Sequence, residues 1–216
     1  MGQAKRRKAL LGDEYGKIQK SNGHTSTPKA ITDDVLKFCQ TIGQSAPFVL
    51  DVPSGPFAMG AGTCHYNVAR RIEKEGGSAQ YGWVIWERPN VMLEADFHCV
   101  WIDPSGAMRD VTEQPDGEKQ IVFMPDNSRA FDFTGRTKPS EYKLYWPLQD
   151  DDIIKGYIVA NQQMSKNEVY VWKDGIMKRQ NILTEEVQAW ALAGLDLNGQ
   201  IRQKYEVGRV IVRDLE

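Results

Sequence analysis

Apolar and polar residues alternate along this chain with two different periods, and each period predicts an element. Ile31, Val35, Phe38 and Cys39 recur at spacings of four, three and one, which predicts a helix ending at Gly43. Thr32 is placed to cap it, and Asp33 and Asp34 suit its first turn. Cys39 lies on the apolar stripe and reads as core. "PFVLDV" then predicts a short strand, followed by the turn-rich "PSGPFAMGAGT". A second helix runs from Cys64 to about Glu75, where Gly76 and Gly77 stop it. Period-two alternation follows in "AQYGWVIWE" and "ADFHCVWID", two strands separated by "RPNVMLE". "DPSG" turns the chain into a third strand, "AMRDVT". Past residue 120 the pattern weakens. "YIVA" and "EVYVWKDGIMK" read as strands, the latter with a hairpin turn at Asp174-Gly175, and "TEEVQAWALAG" as a helix capped by Thr184. On that helix Val187, Trp190, Ala191 and Gly194 form one stripe.

The order of helix, strand, helix and antiparallel meander predicts an α+β class. It also suggests three regions: a basic lead and linker over 1–30, a core over 31–150, and an extension over 151–216 packed on that core. With 216 residues and 41% hydrophobic content, the chain can bury a core without covalent staples.

Charge changes the picture at one end. Residues 1–20 carry six basic side chains against Asp13 and Glu14, while the whole chain stands at -2. Lys5, Arg6, Arg7 and Lys8 could contact nucleic acid or an acidic partner, although a solvated terminus has the same composition. Three cysteines are too few and odd in number for a disulfide framework, which points to a reducing compartment. Ala9-Leu10-Leu11 is far too short for a signal-peptide core, and no stretch reaches the apolar length of a membrane span. A cytoplasmic protein is expected.

The candidate chemistry begins at Cys64. Thr63 before it is a good N-cap, so the thiol falls on a helix's first turn, where unpaired N–H groups favour thiolate over thiol. The same N–H groups can face an oxyanion developing beside the sulfur. Such a nucleophile needs a base. His24 lies in the linker, and His65 is expected to point about 100° away from Cys64 on the helix. His98 lies in a strand, sharing a face with Val100 and Ile102.

Asp110, on the following strand, is the partner such a histidine needs, and the turn decides whether they meet. A three-residue loop pairing Asp103 with Ala107 sets Val100 opposite Asp110. Asp110 then becomes the diagonal neighbour of His98, roughly 7–8 Å away at the backbone. A four-residue loop sets the two opposite one another, and a two-residue loop separates them onto opposite faces. Asp-Pro-Ser-Gly suits a type I turn with a glycine bulge, the first geometry.

A cysteine at a helix N-terminus, then "GGSAQYGW", "FHCVW" and "MRDVT", resembles the core of the transglutaminase-like branch of the papain-like superfamily. The resemblance covers about residues 58–114. It implies a papain-like/transglutaminase-like core with Cys64 as nucleophile, His98 as base and Asp110 as the orienting residue. Another papain-like branch, of peptidases, shares the Cys-then-His order.

The implied activity is acyl transfer from an amide or ester through a Cys64 thioester. Water as acceptor makes a protease, amidase or deamidase, and an amine makes a transferase; a protein or peptide substrate is expected. Trp83, Trp86 and Trp101 could form an aromatic wall for that substrate, with Glu94 at a strand end, though core packing and solvation place the same residues equally well. No cofactor is expected. Zinc held by Cys64, His65, His98 and Cys99 is disfavoured because each pair is immediately adjacent. The alternative to an enzyme is a binding protein that keeps the fold and docks an acidic partner or nucleic acid through its basic lead.

Overall fold

A computed structural model describes residues 25–52, 64–114, 117–173 and 176–206. Helix α1 spans Asp33–Ile42, and Thr32 Oγ1 accepts the N–H of Val35 at 3.3 Å as its cap. Its inner stripe of Val35, Phe38 and Cys39 packs on Trp83, Ile85, Leu93 and Phe97 of the sheet. Strand β1 (Phe48–Asp51) follows, then helix α2 (Cys64–Glu75). The segment expected to turn ahead of α2, with its expected cap Thr63, lies outside the described residues, as do Lys5, Arg6, Arg7, Lys8 and His24. Two glycines at positive φ, Gly76 (76°) and Gly77 (85°), turn the chain out of α2.

Strands β2 (Ser78–Arg88) and β3 (Met92–Ile102) form a long hairpin, closed by Asn90 at a φ of 62°. Asparagine tolerates this left-handed conformation, so most of "RPNVMLE" continues the strands instead of separating them. Strand β4 (Met108–Arg109) returns along β3, and β5 (Gln120–Pro125) pairs with both β1 and β2. A 3-10 turn (Pro139–Tyr142) leads to β6 (Lys143–Pro147). The resulting six-stranded sheet has the order β1-β5-β2-β3-β4, with β6 also on β3. All of its pairings are antiparallel. The architecture is α+β.

Helix α3 (Asp152–Lys166) corrects the reading of "YIVA" as a strand. Asp151 caps the helix, accepting the N–H of Ile153 at 2.7 Å. Ile154 and Ile158 pack with Val91 and Met92. Strands β7 (Glu168–Lys173) and β8 (Ile176–Asn181) pair as expected, but Asp174-Gly175, where the hairpin turn is expected, lies outside the described residues. Helix α4 (Glu185–Ile201), capped by Thr184, runs seven residues beyond Gly194 and packs on α3. A π turn (Arg202–Glu206) ends the described chain.

The described end of the linker is tied down. Ser26 and Glu87 exchange backbone hydrogen bonds of 2.9 and 2.7 Å, and the Thr27 N–H donates to Glu118. Among the described residues, no helix is long and apolar enough to cross a membrane.

β3 positions the site. On one edge it pairs with β2 over its full length, whereas on the other β6 covers 92–96 and β4 covers 101–102. The stretch 97–100 is therefore uncovered on that edge by any named strand. α2 lies against this region, with Val68 packed on Cys99, Trp101 and Val111.

Candidate active site

The loop after β3 has the three-residue geometry. Asp103 N–H donates to Ala107 O at 2.9 Å, and Trp101 pairs with Arg109. Continuing that register sets Val100 opposite Asp110, diagonal to His98. The Asp103 carboxylate accepts the N–H groups of Ser105 and Ala107 and so fixes the turn.

His98 Nε2 lies 3.0 Å from Asp110 Oδ2. Asp110 is fully buried and has two further donors: Thr112 N–H at 2.9 Å and Gln114 Nε2 at 2.7 Å. A buried carboxylate without donors would be costly, and here each oxygen has at least one. Asn67, one helical turn beyond Cys64, donates from Nδ2 to Thr112 Oγ1 at 3.1 Å and ties α2 to this segment.

Cys64 is the first residue of α2 and is buried. With Nε2 of His98 committed to Asp110, Nδ1 is the ring nitrogen left for the thiol beside it. Burial opposes the thiolate, but the two imidazoles beside it, His65 and His98, outweigh it. The Cys64 pKa therefore lies well below its ordinary value. Burial likewise opposes a charged His98, and Asp110 and Cys64 reverse that effect, holding its pKa well above the usual histidine value. The two shifts describe one buried pair, thiolate and imidazolium. The other thiols behave oppositely. Burial pushes Cys39 up to about 11, and burial with the nearby Cys64 and Asp110 pushes Cys99 higher still.

His65 corrects the angular argument. Its Nδ1 lies 3.3 Å from Cys64 Sγ. Adjacent side chains do leave a helix about 100° apart. The imidazole nitrogen nearest the backbone nevertheless reaches sideways far enough to meet a short cysteine. The ring is stacked on Phe131, with centroids 3.9 Å apart and planes at 18°.

The expected aromatic wall is placed differently. Trp83 is completely buried in the α1 core, and its indole N–H donates to Asp126 at 2.9 Å, so it offers no surface to a substrate. Trp101 is 6% exposed and donates to Gly76 O at 2.9 Å, closing the end of α2. Glu94 is ion-paired with Lys143, which also holds Asp96 at 2.9 Å. Trp86, half-buried against the cluster that includes Val84 and Ile121, keeps some accessible surface.

Sequence reasoning missed His65, Asn67, Gln114 and Phe131. Asn67 carries a legible signal, a polar residue on the same stripe as Cys64 and Val68. Phe131 carries none, because it comes from a loop that local periodicity does not describe. Among the described residues, no group of three His, Cys, Asp or Glu side chains is disposed to hold a metal ion. No protein-family model matches this chain, and neither does a curated protein or a solved structure.

Proposed function

We propose that this chain is a cysteine-dependent acyl-transfer enzyme whose core is papain-like, in its transglutaminase-like form. The observation that carries the reading is a buried thiol at a helix N-terminus beside an imidazole that is itself held 3.0 Å from a buried carboxylate. A core built only for packing has no need of this arrangement, since unpaired buried polar groups cost stability.

The Cys64 thiolate attacks the carbonyl carbon of an amide or ester, forming a C–S bond as the carbonyl π electrons move to oxygen. That oxyanion faces the unpaired N–H at the start of α2. Collapse breaks the bond to the leaving group, which takes the proton from His98 Nδ1. Neutral His98 then accepts a proton from water or an amine as that nucleophile attacks the thioester. Expulsion of the thiolate restores the ion pair. Throughout, Asp110 fixes the ring through Nε2 and stabilises its charged form.

The test uses p-nitrophenyl acetate as a generic acyl donor, with intact-mass and peptide mass spectrometry. An acetyl adduct at Cys64 that turns over is expected in the wild type, together with loss in Cys64→Ala and slow formation in His98→Ala. Equal acylation of Cys39 or Cys99, or none at Cys64, would sink the proposal.

A further inference from the structure

The cycle written for Cys64, His98 and Asp110 makes no use of His65. Yet His65 Nδ1 lies 3.3 Å from the sulfur, and the residue is 9% exposed. Phe131 stacks on one side of the ring, with Phe97 and Tyr81 further out at centroid distances of 5.7 and 6.0 Å. Its Nε2 is buried and has no hydrogen-bond partner among the described residues.

These contacts determine where the proton sits. A thiolate accepts hydrogen bonds and donates none, so the ring nitrogen facing it carries hydrogen. A neutral imidazole has one such proton. On Nδ1 it meets the sulfur, whereas on Nε2 it would be a buried donor with no acceptor. Proteins avoid that arrangement more strictly than they avoid a bare acceptor.

We propose that His65 is a positioning residue for the nucleophile: held by its stack on Phe131 in the Nδ1–H tautomer, it donates a hydrogen bond to the Cys64 thiolate. The inference rests on the acyl-transfer reading of Cys64 and adds a second support to the anion. The His65 bond is strong while the sulfur is anionic and weak once the sulfur belongs to a thioester. It therefore favours the thiolate both as resting nucleophile and as the group expelled in deacylation.

The experiment is the pH profile of iodoacetamide labelling at Cys64, read by peptide mass spectrometry. It compares wild type, His65→Phe, His65→Asn and His98→Ala, with circular dichroism to verify folding. Phenylalanine keeps the stack and removes the donor, whereas asparagine sacrifices the ring and restores an N–H near the Nδ1 position. The labelling midpoint is expected to rise by about one pH unit in His65→Phe, a loss of about tenfold in thiolate below it, and to return towards wild type in His65→Asn.

An unchanged midpoint in His65→Phe, with His98→Ala shifted, would overturn the role of His65 and leave the acyl-transfer reading standing. Equal shifts in both His65 variants would also overturn it, because the ring and not the hydrogen bond would then be responsible. If His65→Phe does not fold, a His65→Asn midpoint displaced by as much as that of His98→Ala overturns the proposal, and one close to wild type supports it. A wild-type Cys64 that labels no more readily than Cys39, and ignores His98→Ala, removes the acyl-transfer reading and this inference together.

Discussion

Replacing Asp110 by asparagine probes the site where it is most fully bonded. The carboxylate accepts from His98 Nε2 and Gln114 Nε2 on Oδ2 and from Thr112 N–H on Oδ1. An asparagine has one oxygen and one NH2, so either orientation of its amide turns a donor towards a donor. The mismatch costs stability by about 1–3 kcal/mol, because the group is buried and cannot turn to water. The larger effect falls on His98. A hydrogen bond to a charged partner is worth about 1.5–3 kcal/mol, which at 1.36 kcal/mol per unit lowers the histidine pKa by roughly one to two units. Ring-nitrogen NMR suits the measurement, since only three histidines contribute signals. In the wild type, His98 should keep both ring protons well above the pH at which an ordinary histidine loses one, and Asp110→Asn should titrate earlier. A folded Asp110→Asn protein with an unchanged His98 titration would refute the reasoning, because the carboxylate would then contribute geometry without charge stabilisation.

The thiolate–imidazolium pair also predicts a pH dependence of stability. His98, raised on folding, contributes stability that is complete below its unfolded pKa of about 6.5 and is lost as pH rises through its folded value; Cys64, lowered on folding, contributes stability complete above about 8.5 and lost as pH falls through its folded value. Together they predict a plateau between those two pH values with a decline on either side, and Cys64→Ser should convert the plateau into a fall with rising pH, measured as the Tm profile of each protein. At Gly77, φ is 85° and an added Cβ would lie 2.2 Å from Ile102 O. Gly77→Ala should therefore cost about 2–3 kcal/mol by chemical denaturation, and a loss below about 0.5 kcal/mol would show that the backbone relaxes there freely.

The meeting of His98 and Asp110 was legible because both lie in a hairpin whose turn residues set the register, and period two then assigns every face. His65 was not, because a rule about direction carries no information on reach. Strand β5 escaped notice for a different reason. Ile121, Val122, Phe123 and Met124 are all buried, so the strand has no polar face to mark a period. Helix α3 was hidden by its own Gly156 among β-branched residues. That glycine lets Leu197 of α4 approach, with its Cδ1 3.3 Å from where a Cβ would stand. Sequence periodicity records the burial of an element against one neighbour, and β5 is covered on both faces.

Tyr66 follows Cys64 by two positions on α2, about 200° around the helix. Its hydroxyl accepts the backbone N–H of Met177 at 3.0 Å, across 111 positions of chain. The helix that carries Cys64 is thus braced by a strand synthesised later. While the ribosome is still translating β7, a nascent chain already holds Cys64, His98 and Asp110 but lacks that brace. That brace on α2 is therefore supplied only after Cys64, His98 and Asp110 have all been synthesised.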